Sequence, residues 1–247
     1  MKIQFTFFGS FLFVLFQIQS VNAQQVLHGK ISNYTSGPSQ IESFDRFSAI
    51  SQTWGEVDKE GDFSIILEDN FLEKARKMAE ESQENTPKGF TISFKKVSET
   101  FACPFEEVET EGGDLAVSGL PELTLMDEMG NPTNGILYAA SSLEIARWLF
   151  TYRDENVSPG YYLEFYYLEG PATAKGKCLL ETYTGAGEEV FEESTTIALD
   201  LQAGWNIIRY GIDEVFTSSN GKVFPLKLTV SRLDNLPEDL LWFAVNE

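Results

Sequence analysis

Residues 160–246 form a train of short runs rich in Tyr, Phe, Val, Ile and Thr, parted by Gly, Asn and Pro: GYYLEFYYL, KGKCLLETY, EVFEESTTIALDL, GWNIIRYGI, VFPLKLTVSRL and LLWFAVN. Side chains branched at Cβ or aromatic suit a pleated, half-buried surface, and runs this short between turn residues are strands. Strand after strand at this spacing predicts a mainly β fold, an antiparallel β-sandwich, either one large or two small. The earlier part of the chain continues the pattern with VLHGKISNY (26–34) and IESFDRFSAI (41–50). It adds a hairpin over 54–67 that turns on Asp58-Lys59-Glu60-Gly61, where Gly61 supplies a positive φ. A calcium loop is the competing reading of that turn, but its acids do not alternate as an EF-hand requires.

One segment has helical rather than strand periodicity. NFLEKARKMAEESQ (70–83) puts Phe71, Leu72, Ala75, Met78 and Ala79 on one face, with Asn70 as N-cap and Pro87 and Gly89 beyond its end. SSLEIARWLF (141–150) fits a short helix capped by Ser141 with Glu144, though strand alternation fits nearly as well. The polar stretch ESQENTPKG is the one candidate boundary, dividing an N-terminal β unit with its helix (24–100) from a C-terminal sandwich (101–247). Residues 24–247 also fit a single domain.

The first 23 residues carry one charge, Lys2, then an apolar stretch over 5–16, then a polar run ending Val21-Asn22-Ala23. That is the pattern of a secretory signal peptide cut after Ala23, and the apolar stretch is shorter than the roughly 20 residues a membrane span needs. The expected home is therefore periplasmic or extracellular. The whole chain has 38 acidic and 18 basic residues, a formal charge of -20. A surface so acidic repels phosphate backbones and anionic headgroups, which excludes nucleic acid as a natural partner. Calcium is compatible with the acidity, at the 106–114 loop for example, but no ligand spacing selects it, and no cofactor or metal is expected. Two cysteines, Cys103 and Cys178, and one histidine are too few for a zinc site. In an oxidising compartment the pair reads as a disulfide.

GKISNY, the GEVDKEGDFSIIL hairpin, the cysteine pair and LDLQAGWNIIRY, taken in order, resemble a set of exported bacterial β-sandwich proteins, and the first two resemble carboxypeptidase-regulatory-like modules. The resemblance implies a β-sandwich outside the cytoplasm. It implies no reaction and transfers no catalytic residue.

Catalytic chemistry leaves few traces. The only histidine, His28, sits in the first strand, and no nucleophile-elbow, zinc-protease or P-loop motif occurs. Paired carboxylates stay open because acids are abundant. In GYYLEFYYL, period two sends Tyr161, Leu163, Phe165 and Tyr167 to one face and Tyr162, Glu164, Tyr166 and Leu168 to the other. The odd face reads as core. On the even face Tyr162, Glu164 and Tyr166 form a candidate ligand-binding set, two rings flanking a carboxylate, although cross-strand aromatic pairing would use the same residues and is the preferred reading. The functional expectation is a non-catalytic exported module that binds a glycan, peptide or envelope protein. A carboxylate-dependent hydrolase and a structural component of a surface assembly are its rivals.

Overall fold

The computed structural model of the chain describes residues 25–45, 50–85, 89, 91–127 and 129–246. The expected signal peptide lies outside the described residues. In chain order the elements are β1 (Gln25–Lys30), β2 (Ser39–Asp45), β3 (Ile50–Val57), β4 (Asp62–Leu67), α1 (Phe71–Asn85), α2 (Val97–Thr100), β5 (Glu109–Glu111), β6 (Val117–Gly119), β7 (Thr124–Met126), β8 (Pro132–Ala140), α3 (Leu143–Phe150), β9 (Gly160–Leu168), β10 (Ala172–Tyr183), β11 (Val190–Leu201), β12 (Gly204–Thr217), β13 (Val223–Leu233) and β14 (Leu241–Val245). The fold is mainly β, as the runs of Tyr, Val and Ile require.

All the strands of the described residues belong to one sheet of order β1-β4-β3-β2-β7-β8-β9-β12-β13-β11-β10-β5, with β14 added to β8 and β6 to β9. Its N-terminal part curls. Ile31, one residue past β1, makes a parallel bridge to Trp242 of β14, and Ser32 N donates to Trp242 O at 2.8 Å. Asn33 completes the seam by acting as a strand partner. Its amide donates to Ala244 O at 2.7 Å and accepts from Ala244 N at 3.0 Å. Strands from both sides of residue 100 thus share one curled layer and one apolar cluster, which includes Leu27, Ile41, Ile65, Leu125, Phe165 and Trp242.

The hairpin expected over 54–67 is β3 and β4. Asp58 Oδ1 accepts from the backbone N–H groups of Glu60 and Asp62, and Gly61 takes φ 85°. The carboxylate is thus spent on the turn itself. The segment left between helix and strand is α3, and its cap lies one residue later than expected. Ser142 accepts from Ile145 N at 3.3 Å, whereas Ser141 accepts from Tyr161 N at 2.9 Å and ties the helix start to β9. Gly160 permits that approach, because a Cβ there would stand 2.6 Å from Ile145 Cδ1.

The strands pair antiparallel, as expected, with one exception inside the sheet. β13 lies between β11 and β12, antiparallel to β12 and parallel to β11. Only two residues join β11 to β12, so the two strands must meet beyond the end of β13. Asn206, 1% exposed, holds this junction by accepting from Gln202 N at 2.9 Å and donating to Gln202 O at 2.8 Å.

Cys103 and Cys178 are brought to disulfide distance with their Cα atoms 5.5 Å apart. This staples the segment after α2 to β10 and keeps Val97 and Phe101 pressed on the second apolar cluster, with Leu168, Leu199 and Ile208. Replacing both cysteines by serine is expected to lower unfolding free energy by about 2–4 kcal/mol, read from the urea midpoint. An unchanged midpoint, or two reactive thiols in the denatured, unreduced protein, would refute the bridge.

Candidate functional site

β9 is buried on both faces, and its environment decides what the predicted residues can do. The odd positions Tyr161, Leu163 and Phe165 are 5–6% exposed and lie in the curled layer's core, as expected. Tyr162 is also buried, at 2%, so its ring is not a surface platform. It stacks on Tyr210 of β12, its direct cross-strand partner, with centroids 4.9 Å apart and planes 4° apart. Its hydroxyl accepts from Arg153 Nη2 at 3.3 Å, and the Arg153 guanidinium lies 5.1 Å from the centre of the buried Trp148 ring. Glu164 and Tyr166 are half-buried.

β8 and β9 touch through a single pair, Ala140 with Tyr162, and then part. The chain between β6 and β7 crosses the gap. Gly119 pairs with Tyr166, Leu120 N donates to Phe165 O at 2.7 Å, and Leu137 N on β8 donates to Leu123 O at 2.8 Å. The result is a triangular fork between two strands and a crossing segment, holding a pocket of ≈ 300 Å³. Leu120, Pro121, Leu123, Leu149 and Trp242 are among its apolar lining; Glu122, Tyr138, Tyr162, Glu164 and Tyr166 supply the polar groups.

Within the fork the polar atoms are chained. Tyr166 donates to Glu164 Oε2, and the hydroxyls of Tyr166 and Tyr210 are 3.4 Å apart. Glu164 Oε1 has no hydrogen-bond partner among the described residues. Burial pushes the phenols of Tyr162, Tyr166 and Tyr210 well above the ordinary tyrosine range, and the Glu164 carboxylate adds to the shift at each. They are therefore protonated donors throughout the neutral range. Burial also raises the carboxyl of Glu193, while Arg153 opposes the shift.

Sequence reasoning brought Tyr162, Glu164 and Tyr166 together and missed Tyr210, Arg153, Tyr138 and Glu122. Tyr210 shares a period-two face with Asn206 and Ile208, but only the register of β12 on β9 says which neighbours that face meets. His28 is exposed on β1 and does not line the fork. Among the described residues no group of three or more His, Cys, Asp or Glu side chains is placed to hold a metal ion. In the acidic loop Asp114 is paired with Lys96 at 2.8 Å.

The corner that positions Arg153 is strained. α3 closes with Arg153 N donating to Trp148 O at 2.7 Å, and Tyr152 and Arg153 both adopt left-handed backbone, φ 53° and 69°. Glycine is the usual residue in such a closure, and each other L-residue costs about 1–2 kcal/mol there.

The chain matches no protein-family model, no curated protein and no solved structure.

Two outcomes test this geometry. In an unfolded chain tyrosines ionise near pH 10, while the buried three resist, so the unfolded state sheds protons first and stability falls as pH rises above about 10. Part of the tyrosinate absorbance should thus appear only together with loss of the far-UV circular dichroism signal; complete ionisation before unfolding would refute the buried cluster. Tyr152→Gly should leave stability unchanged or raise it by up to about 1 kcal/mol, since it relieves left-handed strain and removes an exposed ring. A clear loss of stability would show that the Tyr152 ring supports the fold.

Proposed function

We propose that the protein is an exported, non-catalytic module that binds the end of a glycan in the fork between β8 and β9. The observation that carries this reading is the hydrogen-bonded pair of Tyr166 and Glu164 in an otherwise largely apolar pocket. A concave apolar site with a few convergent polar groups is where a small ligand binds. The chemistry of the pair selects hydroxyls: the unengaged oxygen of the Glu164 carboxylate accepts from them, the Tyr166 oxygen, whose proton is given to Glu164, accepts as well, and the rings and aliphatic walls cover the C–H face of a sugar. The strong negative charge makes a neutral sugar a better occupant than an anionic one.

Export is supported by the first 23 residues and by the cysteine pair at disulfide distance. No helix among the described residues is long and apolar enough to cross a membrane.

Calorimetric titration of the mature chain with neutral mono- and disaccharides tests the proposal. Binding should weaken roughly tenfold or more in Glu164→Gln, which replaces one acceptor oxygen by a donor and removes the charge, and in Tyr166→Phe, which takes from Glu164 the donor that positions it. Binding unaltered by either change, or no binding by any sugar, would sink it. Sugar turnover that disappears in both Glu122→Gln and Glu164→Gln would instead favour the carboxylate-dependent hydrolase, because both acids line the fork.

A further inference from the structure

A second cleft of ≈ 670 Å³ lies under the C-terminal end of α3, and it shares Glu122, Ile136 and Tyr138 with the fork pocket. The outer cleft adds Arg147, Tyr152 and Glu155. Tyr138 therefore stands where the two meet. Burial, with Glu122 and Tyr152 contributing, pushes its phenol up to about 12, so it too is a hydroxyl donor at neutral pH.

Tyr152 is the unusual member. Its backbone N–H donates to Leu149 O at 3.1 Å, but its side chain is 90% exposed and makes no hydrogen bond or ring contact among the described residues. Its left-handed backbone, followed by a second left-handed residue, would suit glycine better, and residues strained in this way cluster at functional sites. Its ring lines the outer cleft, which shares Tyr138 with the pocket that holds Glu164 and Tyr166.

We infer that the trough from the fork to Tyr152 binds a linear, neutral oligosaccharide of at least three residues, with the chain end at Glu164 and Tyr166 and an outer sugar ring stacked on Tyr152. This rests on the reading of the fork as a sugar pocket and extends it to chain length. Three features select the class. The outer cleft is about as polar as it is apolar, which suits a ring with an apolar face and a rim of hydroxyls. Its charged residues, Glu122 and Glu155 against Arg147, can each take a hydroxyl at the rim. The surplus of acid over base, in the cleft as in the chain, disfavours an anionic polymer.

The test is calorimetric titration of the mature chain with neutral cello-, xylo-, malto- and N-acetylchito-oligosaccharides of one to six residues. For one series, affinity should rise with length and then level off. Tyr152→Ala should remove roughly five- to tenfold of the affinity for the long members and leave the shortest unaffected, while Tyr152→Phe should keep the wild-type pattern. The ring is exposed, so both variants should unfold at the wild-type temperature. If short and long sugars bind alike, or Tyr152→Ala binds long sugars as tightly as wild type while Glu164→Gln still weakens binding, the inner pocket stands and the extended trough falls. If no oligosaccharide binds, or Glu164→Gln binds like wild type, the sugar pocket itself fails and the trough with it. Tyr152-dependent binding of an extended peptide without binding of any sugar would overturn the choice of ligand class.

Discussion

β9 cannot lie on a surface, because neither of its faces is polar enough to meet water. Its odd residues pack with Trp242 and Phe63 in the core of the curled layer, Tyr162 packs with Trp148 and Phe243 under α3, and Leu168 packs with Val97 and Phe101 under α2. Three apolar clusters thus meet on one nine-residue strand. The helices and the disulfide-linked segment are covers for it, and the two halves of the sheet are held together by sharing it. Strands buried on both faces read as near-continuous apolar runs rather than alternating ones, which is how GYYLEFYYL reads.

The fork follows from that double duty. β8 belongs to the curled layer closed by Ile31 and Trp242, whereas β9 also belongs to the flatter sheet that continues through β12 and β13. The two strands meet at Ala140 and Tyr162 and separate as the curl carries β8 away. Glu164 falls in the gap, one pair along from the junction on its own face. A half-buried carboxylate needs a donor, and Tyr166, two residues on and on the same face, provides it. The place with polar chemistry is therefore the place where the sheet fails to close.

Much of the architecture was legible because its signals are local. β-branched runs between turn residues marked the strands of the C-terminal half, Gly61 marked a turn, and 3.6-residue periodicity marked α1. The limits of local reading appear at Ser141 and Ser142, adjacent hydroxyls of which one caps α3 and the other binds β9, a division set by β9's position. They appear again at LDLQAGWN, where two successive strand runs lie two residues apart while the structure inserts β13 between them. Asn206 looks like an ordinary polar residue in the sequence and is in fact a buried clamp on that junction.

For the candidate site the division is sharper. Period two alone put Tyr162, Glu164 and Tyr166 on one face, because alternation is a property of any extended chain. It could not say that α3 and Tyr210 cover that face at Tyr162 and leave it half-open at Glu164. Nor could it place Arg153, Tyr138 and Glu122, which arrive from three other segments through strand pairing and a left-handed corner. The sequence by itself determined the mainly β class, the helix at α1, the acidity and the two cysteines, all of which depend on composition or on neighbours a few residues apart. The fork, the parallel pair and the outer trough were decided by tertiary structure alone, since each depends on which strands lie side by side, and that is settled by how three apolar clusters bury the same strand.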